Sequence, residues 1–283
     1  MAAPGCSEVT ASDGVKLAVY EAGNPAGPEI LFIHGFSQCA LCWNWQFEDK
    51  DLLRQFRLTA FDIRGHGASG KPHDPARYGD DRVFAEDVRR VMQALGLERP
   101  VLVAWSYAGR IVSDYVSAFG TDAVAGINYV GARTLNDARF NGPGTAFLSA
   151  MCGDDVARNI AATRGFLAAC FASPPPREVF ETALAWNMLV PPDIRAAHLA
   201  RPSSDGAILT LLDVPVLVTQ GSEDLLVSRG LGELTAQRVP GAVLSVYDGI
   251  GHSPFVEDAG RFNRELASFV RTTATNSGSM RRP

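Results

Sequence analysis

The sequence predicts an α/β protein: a mostly parallel sheet covered by helices on both faces, with a long helical insertion after its fifth strand. Three observations carry this. Short, mainly apolar runs such as EILFIHGF (29–36), PVLVAW (100–105) and VPVLVTQG (214–221) read as strands buried on both sides. Segments of helical periodicity alternate with them, the pattern of a parallel sheet with crossover helices. Between the apolar run 123–132 and the one at 214–221 lie about eighty residues with helical patterns and no strand pattern of their own, too long a stretch to be a loop.

Taken in order, KLAVYEA (16–22) alternates apolar and polar residues like a half-buried strand, and 29–36 follows as a buried one closed by His-Gly. RLTAFDIRGHG (57–67) is a strand ending in a glycine-rich turn. In the segment 81–97, Val83, Phe84, Val88, Val91, Met92 and Leu95 recur at helical spacing and Gly96 marks the stop. After the strand at 100–105, GRIVSDYVSAFG (109–120) has a helical pattern ending in glycine. AVAGINYVGA (123–132) is the next strand. The stretches beginning FLSAMCG, DVARNIAATRG, REVFETALAW and PPDIRAAHLA then look helical, which assigns 135–207 to a helical cap over the C-terminal edge of the sheet. The core is accordingly 1–134 and 208–272. It closes with the strands 214–221 and AVLSVYDG (242–249) and the amphipathic helix 261–272. The tail, 273–283, has no apolar periodicity and reads as disordered.

Bulk properties exclude several functions. The 283 residues carry a net charge of −5, which leaves no basic footprint for nucleic acid. No apolar run is long enough to span a bilayer, and the N-terminus lacks the basic and apolar regions of a secretory signal, so a cytoplasmic location is expected. The cysteines, Cys6, Cys39, Cys42, Cys152 and Cys170, are odd in number and scattered, which argues against a disulfide framework. Cys39-x-x-Cys42 has no second pair to complete a zinc site, and buried thiols are the simpler reading.

The chemistry gathers at strand ends. In Ala104-Trp105-Ser106-Tyr107-Ala108 a strand stops at a serine and a helix begins. A sharp strand–helix turn brings neighbouring backbones together, so the residues two positions either side must be small. Alanine meets that need here in place of the glycines of G-x-S-x-G. A serine nucleophile needs a base, and the base an orienting acid, in the chain order Ser, acid, His. Ser222-Glu223-Asp224 follows the strand 214–221, and Gly251-His252 follows the last strand. Asp224 is the expected acid; Glu223, Asp248 and Asp137 are its rivals. His34 ends a strand and His66 lies in a turn, whereas His73 and His198 have no motif and read as solvated or locally bonded. An oxyanion formed by attack needs backbone donors, assigned to the N–H groups of Phe36, in the loop after His34-Gly35, and of Tyr107. Phe36, Trp105, Tyr107 and Trp186 are expected to shape an apolar substrate pocket that disfavours charged substrates.

These pieces together (His34-Gly35-Phe36, the run Asp62 to Ser69, the Ser106 elbow, Gly221 to Asp224 and Gly251-His252) resemble the α/β-hydrolase superfamily, and within it capped bacterial serine esterases related to cofactor-free haloperoxidases. The resemblance implies an eight-stranded, mostly parallel sheet, a Ser106–His252–Asp224 triad, no metal or organic cofactor, and a structural role for Asp62 and Arg64. Serine at the elbow argues against haloalkane dehalogenases and epoxide hydrolases, which place aspartate there. The expected activity is hydrolysis of esters or lactones of small to medium, largely apolar substrates through an acyl-enzyme. A C–C bond hydrolase and a non-turnover receptor or scaffold stand as alternatives. The expected partner is a small-molecule substrate, with no nucleic acid and no membrane; nothing in the sequence specifies an oligomeric state.

Overall fold

Eight strands form one sheet in the order β1-β2-β4-β3-β5-β6-β7-β8. The computed structural model describes residues 5–202 and 206–279. β1 (Gly5–Thr10) and β2 (Lys16–Gly23) make an antiparallel hairpin, and β2 lies antiparallel to β4. From β4 onward every neighbouring pair is parallel: β3 (Glu29–Ile33), β4 (Arg57–Phe61), β5 (Val101–Trp105), β6 (Gly126–Val130), β7 (Val216–Gly221) and β8 (Val243–Tyr247). The two central strands β5 and β6 are buried along their whole length, as their predominantly apolar sequences lead one to expect.

The sequence reading did not see β1. Five of its six residues are exposed and it is an edge strand, so it carries no apolar alternation to detect. The parallel strands are also shorter than their apolar runs. Residues 34–36, 62–67 and 131–132 leave the ladder and form the turns at the C-terminal edge.

Helices cover the sheet. α1 (Asp81–Leu95) is capped by Asp80, whose carboxylate accepts from the Arg82 amide, and ends at Gly96, which takes the left-handed conformation at φ 62°. α2 (Ala108–Phe119) starts directly after the turn that follows β5. Between β6 and β7 lie three short 3₁₀ turns, then α3 (Val156–Ala169), α4 (Arg177–Met188) and α5 (Pro192–Ala200), and a further 3₁₀ turn at Ala207–Leu211. α6 (Arg229–Arg238) joins β7 to β8, and α7 (Ala259–Ser279) closes the chain. The backbone of α7 continues to Ser279, beyond the position where apolar periodicity ends, so residues 273–279 of the expected disordered tail are helical; residues 280–283 lie outside the described residues.

Asp62 and Arg64 stabilise the turn after β4. The Asp62 carboxylate accepts from the amides of Ala40 (2.7 Å) and Ala68 (2.8 Å) and from the Tyr20 hydroxyl. The buried Arg64 guanidinium is shared between Asp87 (2.6 Å) and Asp13 (2.8 Å). These are main-chain and ion-pair duties within the core, consistent with a buried charge being tolerated only when it is paired.

The chain order runs outward in opposite directions on either side of β3 and β5. Open parallel sheets bind ligands at such a switch point, beyond the strand C-termini. The loops after β3, β5, β6, β7 and β8 all emerge at that edge.

Candidate active site

Ser106 follows the last residue of β5 and has φ 55°, a left-handed conformation that a non-glycine residue adopts only under local constraint. Its N–H donates to the Val130 carbonyl (2.9 Å), and its carbonyl accepts from Gly109 (3.0 Å) and Arg133 (2.9 Å). Ala104 and Ala108 are both fully buried, as the crowding of a strand–helix turn demands. Ser106 itself lines a cavity of about 180 Å³.

Asp224 and His252 meet at this edge from the loops after β7 and β8. Asp224 Oδ2 lies 2.7 Å from His252 Nδ1. A carboxylate can only accept, so Nδ1 carries a proton, which in the neutral imidazole leaves Nε2 as the acceptor. The Asp224 carboxylate is held by three further donors: the amides of Leu226 and Val227 on Oδ1, both at 2.8 Å, and Gln220 Nε2 on Oδ2 at 3.1 Å. Gly131, at φ 47° after β6, packs against the pair so closely that a Cβ there would lie 3.0 Å from His252 Nδ1 and 3.1 Å from Asp224 Oδ2. The rival acids are elsewhere engaged: Glu223 is exposed and accepts from Ser222, Asp137 pairs with Arg139, and Asp248 is exposed in a turn.

Two backbone donors face no protein acceptor. Among the described residues, neither the N–H of Phe36 nor that of Tyr107 is hydrogen-bonded. The loop that carries Phe36 is fixed by two histidines whose roles sequence reasoning missed. His66 Nε2 accepts from the Ser37 amide (3.0 Å) while its Nδ1 donates to the Arg64 carbonyl, and Ser37 is held at φ 60°. His34 Nε2 accepts from the Ile63 amide (3.0 Å) and its Nδ1 donates to the Gly35 carbonyl. Burial lowers the pKa of both imidazoles, so they remain neutral and keep these acceptors available. The signal for this was the pairing of His-Gly with Arg-Gly-His-Gly, two turns that the parallel register of β3 and β4 brings side by side.

His198 differs from its expected place. It is fully buried on α5, packed edge-on against His66 and Tyr107, and burial lowers its pKa to about 3. Its Nε2 donates to the Arg64 carbonyl and its Nδ1 accepts from the Tyr107 hydroxyl, both at 3.2 Å. Arg201 also donates to that hydroxyl and is itself paired with Asp81 and Asp114. The helical insertion therefore grips the side chain of the residue after Ser106. Trp186 grips the other loop, donating its indole N–H to Gln38 Oε1 at 2.8 Å.

Of the expected pocket residues, Phe36 and Tyr107 line the cavity beside Ser106, whereas Trp105 and Trp186 do not. Those two border a separate space of about 20 Å³, room for about one water. Trp105 lies behind the elbow, its indole donating to the His252 carbonyl at 2.9 Å. The Ser106 cavity is apolar only in part. Its lining includes Phe36, Phe166, Leu148, Leu199 and Leu226 but also Arg110, Arg133, Asn136 and Asn141. The expectation of a pocket hostile to charge fails on those two arginines, which the sequence could not assign because they lie on α2 and in the loop after β6, brought together only by the fold.

Cys39, Cys42 and Cys170 are buried, and burial pushes the Cys42 and Cys170 thiols well above their ordinary pKa. Among the described residues no helix is long and apolar enough to cross a membrane.

Comparison with known proteins agrees with this architecture. A family model described as the alpha/beta hydrolase fold matches residues 28–259. The structure of a candidate aryl esterase from Burkholderia cenocepacia superposes with a TM-score of 0.92 at 34% identity, over 96% of this chain and 100% of that one. An esterase from Rhodococcus sp. ECU1013 gives 0.88 at 31% identity, over 95% and 99%. A bifunctional esterase/perhydrolase from Acinetobacter calcoaceticus is 28% identical over 284 residues, 93% of this chain and 99% of that protein. Other curated relatives match in part: the chain spans 25% of the length of an epoxide hydrolase from Caenorhabditis elegans, at 29% identity.

Proposed function

The chain belongs to the alpha/beta hydrolase family, and from that premise we propose that it is a serine hydrolase cleaving carboxylic esters or lactones through an acyl-enzyme. The observation that carries this reading is that one edge of the sheet holds both a strained serine at φ 55° and an imidazole whose Nδ1 is bound to a buried carboxylate at 2.7 Å. The relatives named as esterases support the reaction class.

In the proposed reaction, His252 Nε2 takes the proton of Ser106 as Oγ attacks the substrate carbonyl carbon. Asp224 stabilises the imidazolium so formed and holds its tautomer. The carbonyl oxygen becomes an oxyanion and is received by the N–H groups of Phe36 and Tyr107, which have no competing acceptor. Collapse breaks the acyl–oxygen bond, and the alcohol leaves with the proton from His252. Water then adds to the acyl-enzyme by the same route, returning Ser106 and releasing the acid. The helical insertion serves as a cap: with α5 bound to Tyr107 and α4 to Gln38, it covers the strand edge and excludes bulk water.

The test is steady-state release of 4-nitrophenol from acetate, butyrate and octanoate esters, wild type beside Ser106→Ala. Many turnovers per enzyme are expected, falling by about 10³-fold or more in the variant. Equal turnover in both proteins removes Ser106 as nucleophile. Single turnover in the wild type would place the protein with receptors.

A further inference from the structure

We propose that the acyl part of the substrate ends in a carboxylate, and that Arg133 binds it; the proposal rests on the hydrolase reading above and names the substrate class of the same site.

Arg133 sits two residues beyond Gly131, and its amide donates to the Ser106 carbonyl at 2.9 Å, so its backbone is fixed directly against the elbow. Arg133 lines the same cavity as Ser106. Among the described residues its guanidinium makes no hydrogen bond and no ion pair. That sets it apart from the other enclosed arginines. Arg64 is shared between Asp13 and Asp87, and Arg201 between Asp81 and Asp114. Arg195 donates to Asn159 and to the carbonyls of Met151 and Asn187. Arg110, the second cation on the cavity wall, donates to the carbonyls of Arg201 and Pro202.

The surroundings of Arg133 are poor in anions. Among the described residues no Asp or Glu lines the cavity. Asp224 draws on its charge, but that carboxylate is already committed to His252, Gln220 and two amides. Burial and the neighbouring Arg110 both disfavour the charged guanidinium. A partly desolvated cation with idle donors is costly alone, and a planar carboxylate matches its fork in two parallel hydrogen bonds. Phe36, Phe166 and Leu148, which line the same cavity, would take the methylene or aryl body between that carboxylate and the scissile carbonyl. The hydrolysis itself is unchanged: water adds, alcohol leaves, and the product is a dicarboxylic acid.

The experiment compares kcat/KM for mono-4-nitrophenyl adipate with that for 4-nitrophenyl hexanoate, esters of equal chain length that differ in the terminal carboxylate. The readout is the anionic-to-neutral ratio in wild type, Arg133→Gln and Arg133→Lys, which cancels any general damage to folding. The wild-type ratio is expected above one. Arg133→Gln should lower it by about 10- to 100-fold, the range of a charge-assisted hydrogen bond, and Arg133→Lys should retain part of it. A ratio that stays within about twofold across all three proteins overturns the anion site while leaving Ser106-dependent hydrolysis standing. Absence of turnover of both esters by the wild type overturns the hydrolase reading, and this one with it.

Discussion

The indole Nε1 of Trp105 donates to the main-chain carbonyl of His252 at 2.9 Å, so the residue before the serine positions the loop that carries the imidazole. Both residues are buried. Trp105→Phe leaves that carbonyl without its donor, at a cost of about 1–3 kcal/mol. The expected outcome is a kcat lowered by about tenfold with KM near that of wild type, together with a lower Tm. Steady-state kinetics with thermal denaturation checks this. A lowered Tm with unchanged kcat would make Trp105 a packing residue only.

Asp224→Asn separates orientation from stability. Asparagine can still accept from the amides of Leu226 and Val227, which now bind Oδ1. Its NH₂, however, would face the Nδ1–H of His252 donor to donor, favouring the wrong tautomer. By analogy with the serine-protease aspartate, kcat is expected to fall roughly 10⁴-fold with the fold intact by circular dichroism. Retention of most activity would reassign the orienting role.

Gly131 and Gly96 form a matched pair. Both take positive φ, 47° and 62°. A Cβ on Gly131 meets His252 and Asp224 at 3.0–3.1 Å, whereas a Cβ on Gly96 meets nothing within 4 Å. Each Ala substitution costs about 1–2 kcal/mol in left-handed strain. Gly131→Ala should in addition lose about 10- to 100-fold in kcat by displacing the imidazole, and Gly96→Ala should keep wild-type turnover. Equal kcat in the two variants, measured on one neutral ester, refutes the distinction.

His198 makes stability depend on pH. Burial lowers its folded pKa to about 3, whereas the unfolded residue titrates near 6.5. Above about pH 6.5 both states are neutral and the group adds no slope. Between that value and about 3 the unfolded chain binds a proton that the folded chain does not, so stability falls as pH falls. The loss approaches about 1.4 kcal/mol per pH unit for each such histidine, and His34 and His66 are shifted in the same direction. Urea denaturation at pH 7 and pH 5 should therefore show a smaller pH loss in His198→Gln than in wild type, by about 2 kcal/mol. An identical loss in both would show that this imidazole is protonated in the folded state.

Much of this architecture was legible because its signals are local. Buried parallel strands must be continuously apolar, and a strand–helix turn must be flanked by small residues, so β5, Ser106 and α2 could be read from ten letters. Asp224 and His252 could be placed at one sheet edge because each lies in the loop after a strand. β1 was not legible, since an exposed edge strand has no apolar pattern. Nor was the tail of α7, whose polar residues continue a helix begun by apolar ones.

The sequence by itself determined which chemistry-bearing residues stand at strand ends, and hence the parallel sheet and the order of serine, acid and histidine along it. Only the tertiary structure decided what those residues touch. It turned His198 inward against Tyr107, set Trp105 behind His252 instead of in the cavity, and brought Arg110 and Arg133 into the lining of the cavity that Ser106 also lines. The physical reason is range: periodicity and turn chemistry act over a few residues, whereas burial and hydrogen bonding join segments as far as 218 residues apart that meet only when the sheet and its helices pack.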